Sequence, residues 1–224
     1  MPAPLSQAVE DYLKAVYMLS QEERPVTTNG LAQRLGVAPA SVTNMMKRLA
    51  RLRLVRHEPY RGVTLTEAGQ KVALEVIRHH RLLELYLSRA LGVSLDRVHG
   101  EADRLEHVIS EDLEERIAAS LGQPDLDPHG DPIPARDGSV TVRTLHPLTA
   151  ATPGQRGVIA RVSDRDDKVV RYLAAAGLLP GVALEVTSTG RRVEVRLEGA
   201  PQPRRLTAGL ARAIEIVVEE PGAA

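Results

Sequence analysis

Between positions 99 and 107 the chain reads His99-Gly-Glu-Ala-Asp103-Arg-Leu-Glu106-His107, two imidazoles and three carboxylates in one short stretch. The run is rich in helix formers, and residues three and four apart on a helix share a face. His99, Asp103, Glu106 and His107 are therefore expected to point the same way. Clustered carboxylates disfavour one another's charged forms unless a cation lies among them, and a divalent metal meets that need. Upstream, His80 and Glu84 repeat the i, i+4 spacing. The competing reading is a solvated acidic helix face that needs no ligand.

Composition narrows the chemistry available. Among 224 residues there is no Cys, Trp or Phe. Without Cys, disulfides, thiolate zinc sites and cysteine-ligated iron–sulfur clusters are excluded, so a metal must be held by His, carboxylate, carbonyl, Met or water. The cores must be built from Leu, Val, Ile and Ala. No apolar run nears the ~18 residues of a membrane span, and no secretory n-region and h-region opens the chain. The expectation is a cytoplasmic protein with no membrane partner.

The formal net charge of zero hides a division. From Pro25 to Thr64 seven basic side chains face one acid, a net +6, whereas Asp96 to Asp137 holds twelve acids against four arginines, a net −8. A basic block followed by an acidic one suggests an anion-binding module joined to a cation-binding one.

Elements that would position these groups follow from periodicity. Ser6 is placed to cap a first helix with Val9, Leu13, Val16 and Tyr17 as its apolar stripe. Thr27 or Thr28 starts a short helix that Gly36 ends, and a further helix opens near Pro39 and runs to about Leu52. Leu54–Glu58 and Val63–Leu65 alternate around a Pro59–Gly62 turn, as in a β-hairpin. Thr66 caps a long helix to about Leu91. Helices are expected from Leu95 or Glu101 to about Ile109 and from Asp112 to Leu121. The segment Gly122–Gly138, with four prolines, three glycines and four aspartates, reads as a linker or irregular excursion. Short alternating runs at Val140–Leu145, Gly157–Val162, Val182–Ser188, Arg192–Leu197 and Ala213–Val218, broken by a helix at Asp167–Ala176, suggest a small barrel.

Two helices joined by Gly36-Val37-Ala38 and followed by a hairpin make a winged helix-turn-helix pattern. The second helix opens with Ala38, Pro39, Ala40, Ser41, Thr43 and Asn44, small and polar side chains that can approach base edges, where Asn44 suits adenine. Lys47, Arg48 and Arg51 follow, placed to meet phosphates, with Arg61 at the wing tip. Val42, Met45, Met46 and Leu49 form the inward face. Such modules read DNA as two-fold dimers, and Leu82, Leu83, Leu85, Leu87, Leu91, Leu105 and Leu113 supply apolar candidates for the dimer surface.

With Glu10-Asp11-Tyr12-Leu13 in its first helix, the winged helix resembles that of the diphtheria toxin repressor family of iron- or manganese-activated repressors. The same holds for His79-His80-Arg81-Leu82-Leu83-Glu84-Leu85, for Val98-His99 through His107-Val108, and for Gly130-Asp131-Pro132-Ile133-Pro134. The resemblance covers nearly the whole chain. It implies a primary metal site of Asp11, Asp103, Glu106 and His107 and an ancillary site of His80, Glu84 and His99, two sites per subunit. The family's C-terminal SH3-like domain adds ligands to the ancillary site. Here Ser163–Lys168 corresponds, with Asp166 or Asp167 as the expected contributor. Arg171-Tyr172-Leu173 and Gly177-Leu178-Leu179-Pro180-Gly181 also resemble the SH3-like domain of ferrous transport proteins.

Departures from the family pattern bear on the metal. Iron-responsive members place Met at the position of Asp11 and Cys at that of Asp103. Two hard oxygen ligands there favour Mn²⁺, with Fe²⁺ the alternative. Manganese-responsive members carry Glu where this chain has Lys14, so their closely spaced pair of ions is not expected. His79 reads as a surface residue, Glu101 as solvent-facing or bridging, and His57, His129 and His146 as structural.

The reading is a mainly α protein with a small β part. Residues 1–66 would form a winged helix-turn-helix, 67–138 a helical dimerisation and metal-binding domain with a Pro/Gly linker, and 139–224 an SH3-like barrel. Its function would be that of a homodimeric, Mn²⁺-dependent repressor binding double-stranded operator DNA to control metal-ion homeostasis, through metal transporter genes. The rivals are an Fe²⁺-dependent repressor of iron uptake, a metallohydrolase, and a metal-independent DNA-binding protein.

Overall fold

The computed structural model of the chain describes residues 5–22, 25–58 and 62–219. These fold into two compact units. One gathers 1–80, 105–111 and 134–140; the other gathers 81–104, 112–133 and 141–224.

In the first unit, α1 (Gln7–Glu22), α2 (Thr28–Leu35) and α3 (Pro39–Arg51) precede β1 (Val55–Glu58) and β2 (Gly62–Leu65), which pair antiparallel. Thr27 caps α2, its Oγ1 accepting from Gly30 N at 3.0 Å. Gly36 ends α2 at φ 64°, a left-handed conformation that costs a side-chain-bearing residue. This tight stop turns the chain into α3, whose first helical position is Pro39. Val9, Leu13 and Val16 of α1, Leu31 of α2, and Val42, Met46 and Leu49 of α3 bury in one core with Val55 and Val63. Met45 packs only partly against it. The wing is tied back where Val63 N donates to Val26 O at 3.0 Å. The predicted wing-tip residue Arg61 lies outside the described residues.

Helix α4 (Glu67–Leu91) gives its residues up to His80 to the first unit and the remainder to the second. Helix α5 (Leu95–Leu105) is shorter than expected: Glu106 and His107 lie beyond it in a turn closed by Val108 N on Leu105 O. His99, Asp103, Glu106 and His107 therefore do not share one helix face. Helix α6 runs Glu111–Ser120.

The second unit holds β3 (His146–Pro147), β4 (Arg156–Val162), α7 (Asp167–Ala175), β5 (Ala183–Ser188), β6 (Arg192–Leu197), β7 (Arg204–Thr207), α8 (Ala208–Arg212) and β8 (Ile214–Val218). The strands form one antiparallel sheet in the order β3-β8-β4-β5-β6-β7. Ile159, Val162, Leu173, Leu178, Val186, Val195, Leu206, Ile214 and Ile216 fill its core. Val140–Leu145 forms no strand, and β7 was not expected.

The Pro/Gly stretch is an ordered excursion. Asp127 N donates to Asp131 O, and Asp127 Oδ1 accepts from His129 N at 2.8 Å and Asp131 N at 2.9 Å. Gly130 sits at φ 90°, where a Cβ would meet Ala160 O at 2.1 Å.

Candidate metal centres and DNA-reading helix

Three expected ligands converge in the first unit. Helix α1 presents Asp11, and the turn after α5 presents Glu106 and His107. His107 Nε2 lies 2.9 Å from Asp11 Oδ1 and 3.4 Å from Glu106 Oε1, and the three donor atoms lie within 4.8 Å of one another. Glu106 is buried. Burial pushes the Asp11 carboxyl above its ordinary range; His107 pulls it back, and the charge of Glu106 pushes it up again. The site thus concentrates negative charge in a partly dry setting, which suits a hard divalent cation.

Two neighbours, Glu10 and Lys14, make contacts that the sequence did not lead one to expect. Glu10 Oε2 lies 2.7 Å from His107 Nδ1. With that nitrogen facing Glu10, Nε2 faces Asp11 and Glu106, the carboxylate–imidazole arrangement that orients metal-bound histidines. Lys14, one turn on from Asp11 along α1, donates from Nζ to Glu106 Oε2 at 2.7 Å and Oε1 at 3.0 Å. His80 borders this group: its Nδ1 lies 2.5 Å from Glu106 Oε2 and 3.0 Å from Lys14 Nζ. The buried Glu106 carboxylate is the nearest strong charge available to it.

In the second unit Glu84 and His99 pair as expected, His99 Nδ1 lying 3.0 Å from Glu84 Oε1. Asp164 Oδ2, between β4 and α7, approaches the same nitrogen at 3.6 Å. The expected Asp166 instead caps α7, accepting from Lys168 N at 2.8 Å, and Asp167 stands in the first turn of that helix. A carboxylate spent on a helix cap is held away from other ligands. Asp103 also turns to His99, its Oδ2 3.6 Å from Nε2. Because α5 ends two residues later, Asp103 keeps the helical direction that Glu106 and His107 leave.

His129 is fully buried with its Nε2 3.9 Å from Glu84 Oε1, and neither ring nitrogen has a hydrogen-bond partner. A buried imidazole in that condition costs free energy comparable to a lost hydrogen bond, and a metal beside Glu84 would use it. Burial, then the charges of Glu84 and Asp131, hold the Asp127 carboxyl well above its ordinary range. Arg81 answers these acids, with Nη2 3.2 Å from Asp131 Oδ1.

Helix α3 exposes Ala38, Pro39, Ala40, Ser41, Asn44, Lys47, Arg48 and Arg51, while Thr43 is half-buried with its Oγ1 donating to Pro39 O at 3.0 Å. The small residues precede the cations along the helix, the order that lets a helix enter a groove and clamp its phosphates. Of the expected dimer-surface leucines, Leu82, Leu83, Leu85 and Leu87 are buried within the chain, whereas Leu91, Leu105 and Leu113 are exposed. Among the described residues, no helix is long and apolar enough to cross a membrane.

Comparison with known proteins agrees with this geometry. Residues 4–63 match the family model "Iron dependent repressor, N-terminal DNA binding domain", and residues 66–135 match its "metal binding and dimerisation domain". Residues 146–218 match the FeoA domain. The chain is 33% identical to the iron-dependent repressor IdeR of Mycobacterium tuberculosis, covering 83% of this chain and 86% of that one. It is 35% identical to the diphtheria toxin repressor of Corynebacterium efficiens, covering 87% and 89%. Among solved structures it resembles a manganese-dependent transcriptional repressor in complex with manganese, with TM-score 0.88 and 38% identity over 94% of this chain and all of that one. With these matches the metallohydrolase reading falls. The chain belongs to the iron-dependent repressor family: it is a metal-dependent, DNA-binding transcriptional repressor that works as a homodimer, not an enzyme.

Proposed function

We propose that the effector is Mn²⁺ and that Asp11, Glu106 and His107 are the ligands through which it activates the repressor. The observation that carries this reading is the convergence of two hard carboxylates and one imidazole, with Glu10 orienting His107. The structural likeness to a repressor solved with manganese, and to the manganese regulator SloR at TM-score 0.75 and 29% identity over 94% of this chain, supports the same choice. Identity to IdeR favours the second reading, Fe²⁺ at the same ligands.

Bound there, the ion supplies positive charge against the clustered carboxylates. The chain's own residues do the rest. Asp11 belongs to α1, packed in the core that also seats α3, so a link from Asp11 to Glu106 and His107 restrains the helix that reads DNA. The ligand shifts an equilibrium only by its differential affinity for the two states, and a nearly complete switch needs about 5.5 kcal/mol. An ancillary site would use Glu84, His99, Asp164 and His129, with Asp103 beside His99. We assign 1–66 to DNA reading, 67–138 to dimerisation and metal binding, and 139–224 to the SH3-like part. The targets are metal transporter genes, and the compartment is the cytoplasm.

Fluorescence anisotropy on promoter DNA tests this, titrating Mn²⁺, anaerobic Fe²⁺, Co²⁺, Zn²⁺ and chelator. Wild type should bind with Mn²⁺ and release with chelator. Asp11→Ala and His107→Ala should lose the metal response; variants that respond as wild type does would sink the ligand assignment.

A further inference from the structure

A third cluster of metal-ligating atoms lies in the first unit, outside both sites above. Glu75 and His79 stand at i and i+4 on α4, and Glu111 is the first residue of α6. One ligand atom from each lies within 4.8 Å of the others. His79, expected at the surface, is buried at 6% exposure. Its Nδ1 lies 3.1 Å from the Glu106 carbonyl oxygen, and its Nε2 is turned towards Glu111, 3.6 Å from Oε1. An imidazole whose one nitrogen is set by a backbone carbonyl presents the other as a ligand in a fixed direction. Glu75 and Glu111 are exposed residues, yet their carboxyl groups meet within hydrogen-bond reach beside this nitrogen, where partial burial and the charge of Glu111 push the Glu75 carboxyl up. Glu10, which orients His107, also bears on Glu75.

We propose that Glu75, His79 and Glu111 form a third divalent-cation site, open to solvent on the carboxylate side and completed there by water. Two carboxylates and one imidazole take Mn²⁺, Fe²⁺ or Zn²⁺. The site stands apart from the Asp11 ligands but touches them through one residue: His79 holds the carbonyl of Glu106, whose carboxylate lies in the Asp11 cluster. An ion at His79 therefore steadies the backbone that carries a ligand of the activating site.

Equilibrium dialysis of the full chain against Mn²⁺, with bound metal counted by mass spectrometry, tests the site. The Glu75→Gln/Glu111→Gln chain changes only exposed side chains and should fold. It is expected to bind one Mn²⁺ fewer than wild type at saturation and still show metal-dependent operator binding, with its midpoint moved to higher Mn²⁺. Asp11→Ala should lose a different ion and keep this one. Stoichiometry and affinity equal to wild type in the double variant would overturn the proposal. A failure confined to Asp11→Ala would count only against the activating-site assignment.

Discussion

Lys14 places a fixed ammonium against the cluster of Asp11, Glu106 and His107. Its ammonium lies against both oxygens of Glu106, a carboxylate 2% exposed as a residue. Lys14→Met takes the ammonium away from that buried charge and leaves it the imidazoles of His80 and His107 alone, so the metal-free chain should lose about 1–3 kcal/mol in urea unfolding with chelator present. Added Mn²⁺ should then stabilise the variant more than it does the wild type; unchanged metal-free stability would contradict the pairing. Glu10 acts one step back, through His107. Glu10→Gln should weaken Mn²⁺ binding by about 10–100-fold without unfolding the chain, as read by calorimetry. Asp11, Glu106 and His107 were legible because family-like spacing names them. Lys14, His79, His129 and Asp164 were not, because each takes its role from a partner far along the chain. His129 sits in a Pro/Gly stretch with no period to mark it.

At the level of elements, the helix-turn-helix was legible to within a residue or two, since Thr27, Gly36 and Pro39 punctuate it. The end of α5 was not. No Gly or Pro follows Leu105 until Gly122, so no residue marks the stop, and Glu106 and His107 leave the helix to meet tertiary partners. Val140–Leu145 alternates like a strand, yet Val142 is 94% exposed and no strand among the described residues pairs with it. Strand β7 was hidden by Pro201 and Pro203 just before it. The excursion around Gly130 is closely fitted to β4. Gly130→Ala combines a strained φ with a Cβ against the Ala160 carbonyl. The overpacking alone should cost about 1–3 kcal/mol, measurable as a lower thermal midpoint, and it should weaken whatever binds beside His129. A variant as stable as wild type would show that the loop yields freely.

Across the whole molecule the zero net charge conceals a protein built to meet both a polyanion and a cation. Operator affinity should fall steeply with salt, because cations on α3 release counterions from DNA. Replacing Lys47, Arg48 and Arg51 together with Gln should flatten the log–log salt slope by about 2–3 per subunit, about 5 for the dimer, while leaving the Mn²⁺ midpoint for binding little changed. A slope unaltered by the triple change would place the phosphate contacts elsewhere. The ammonium of Lys14 has its own consequence at this scale. Tethered by the chain, it is a resident rival for Glu106 whose local concentration never changes with the state of the cell. With Glu106 as the proposed ligand, an arriving ion must share it with that rival, so a change at position 14 should move the metal concentration at which the repressor responds while leaving Asp11, Glu106 and His107 in place.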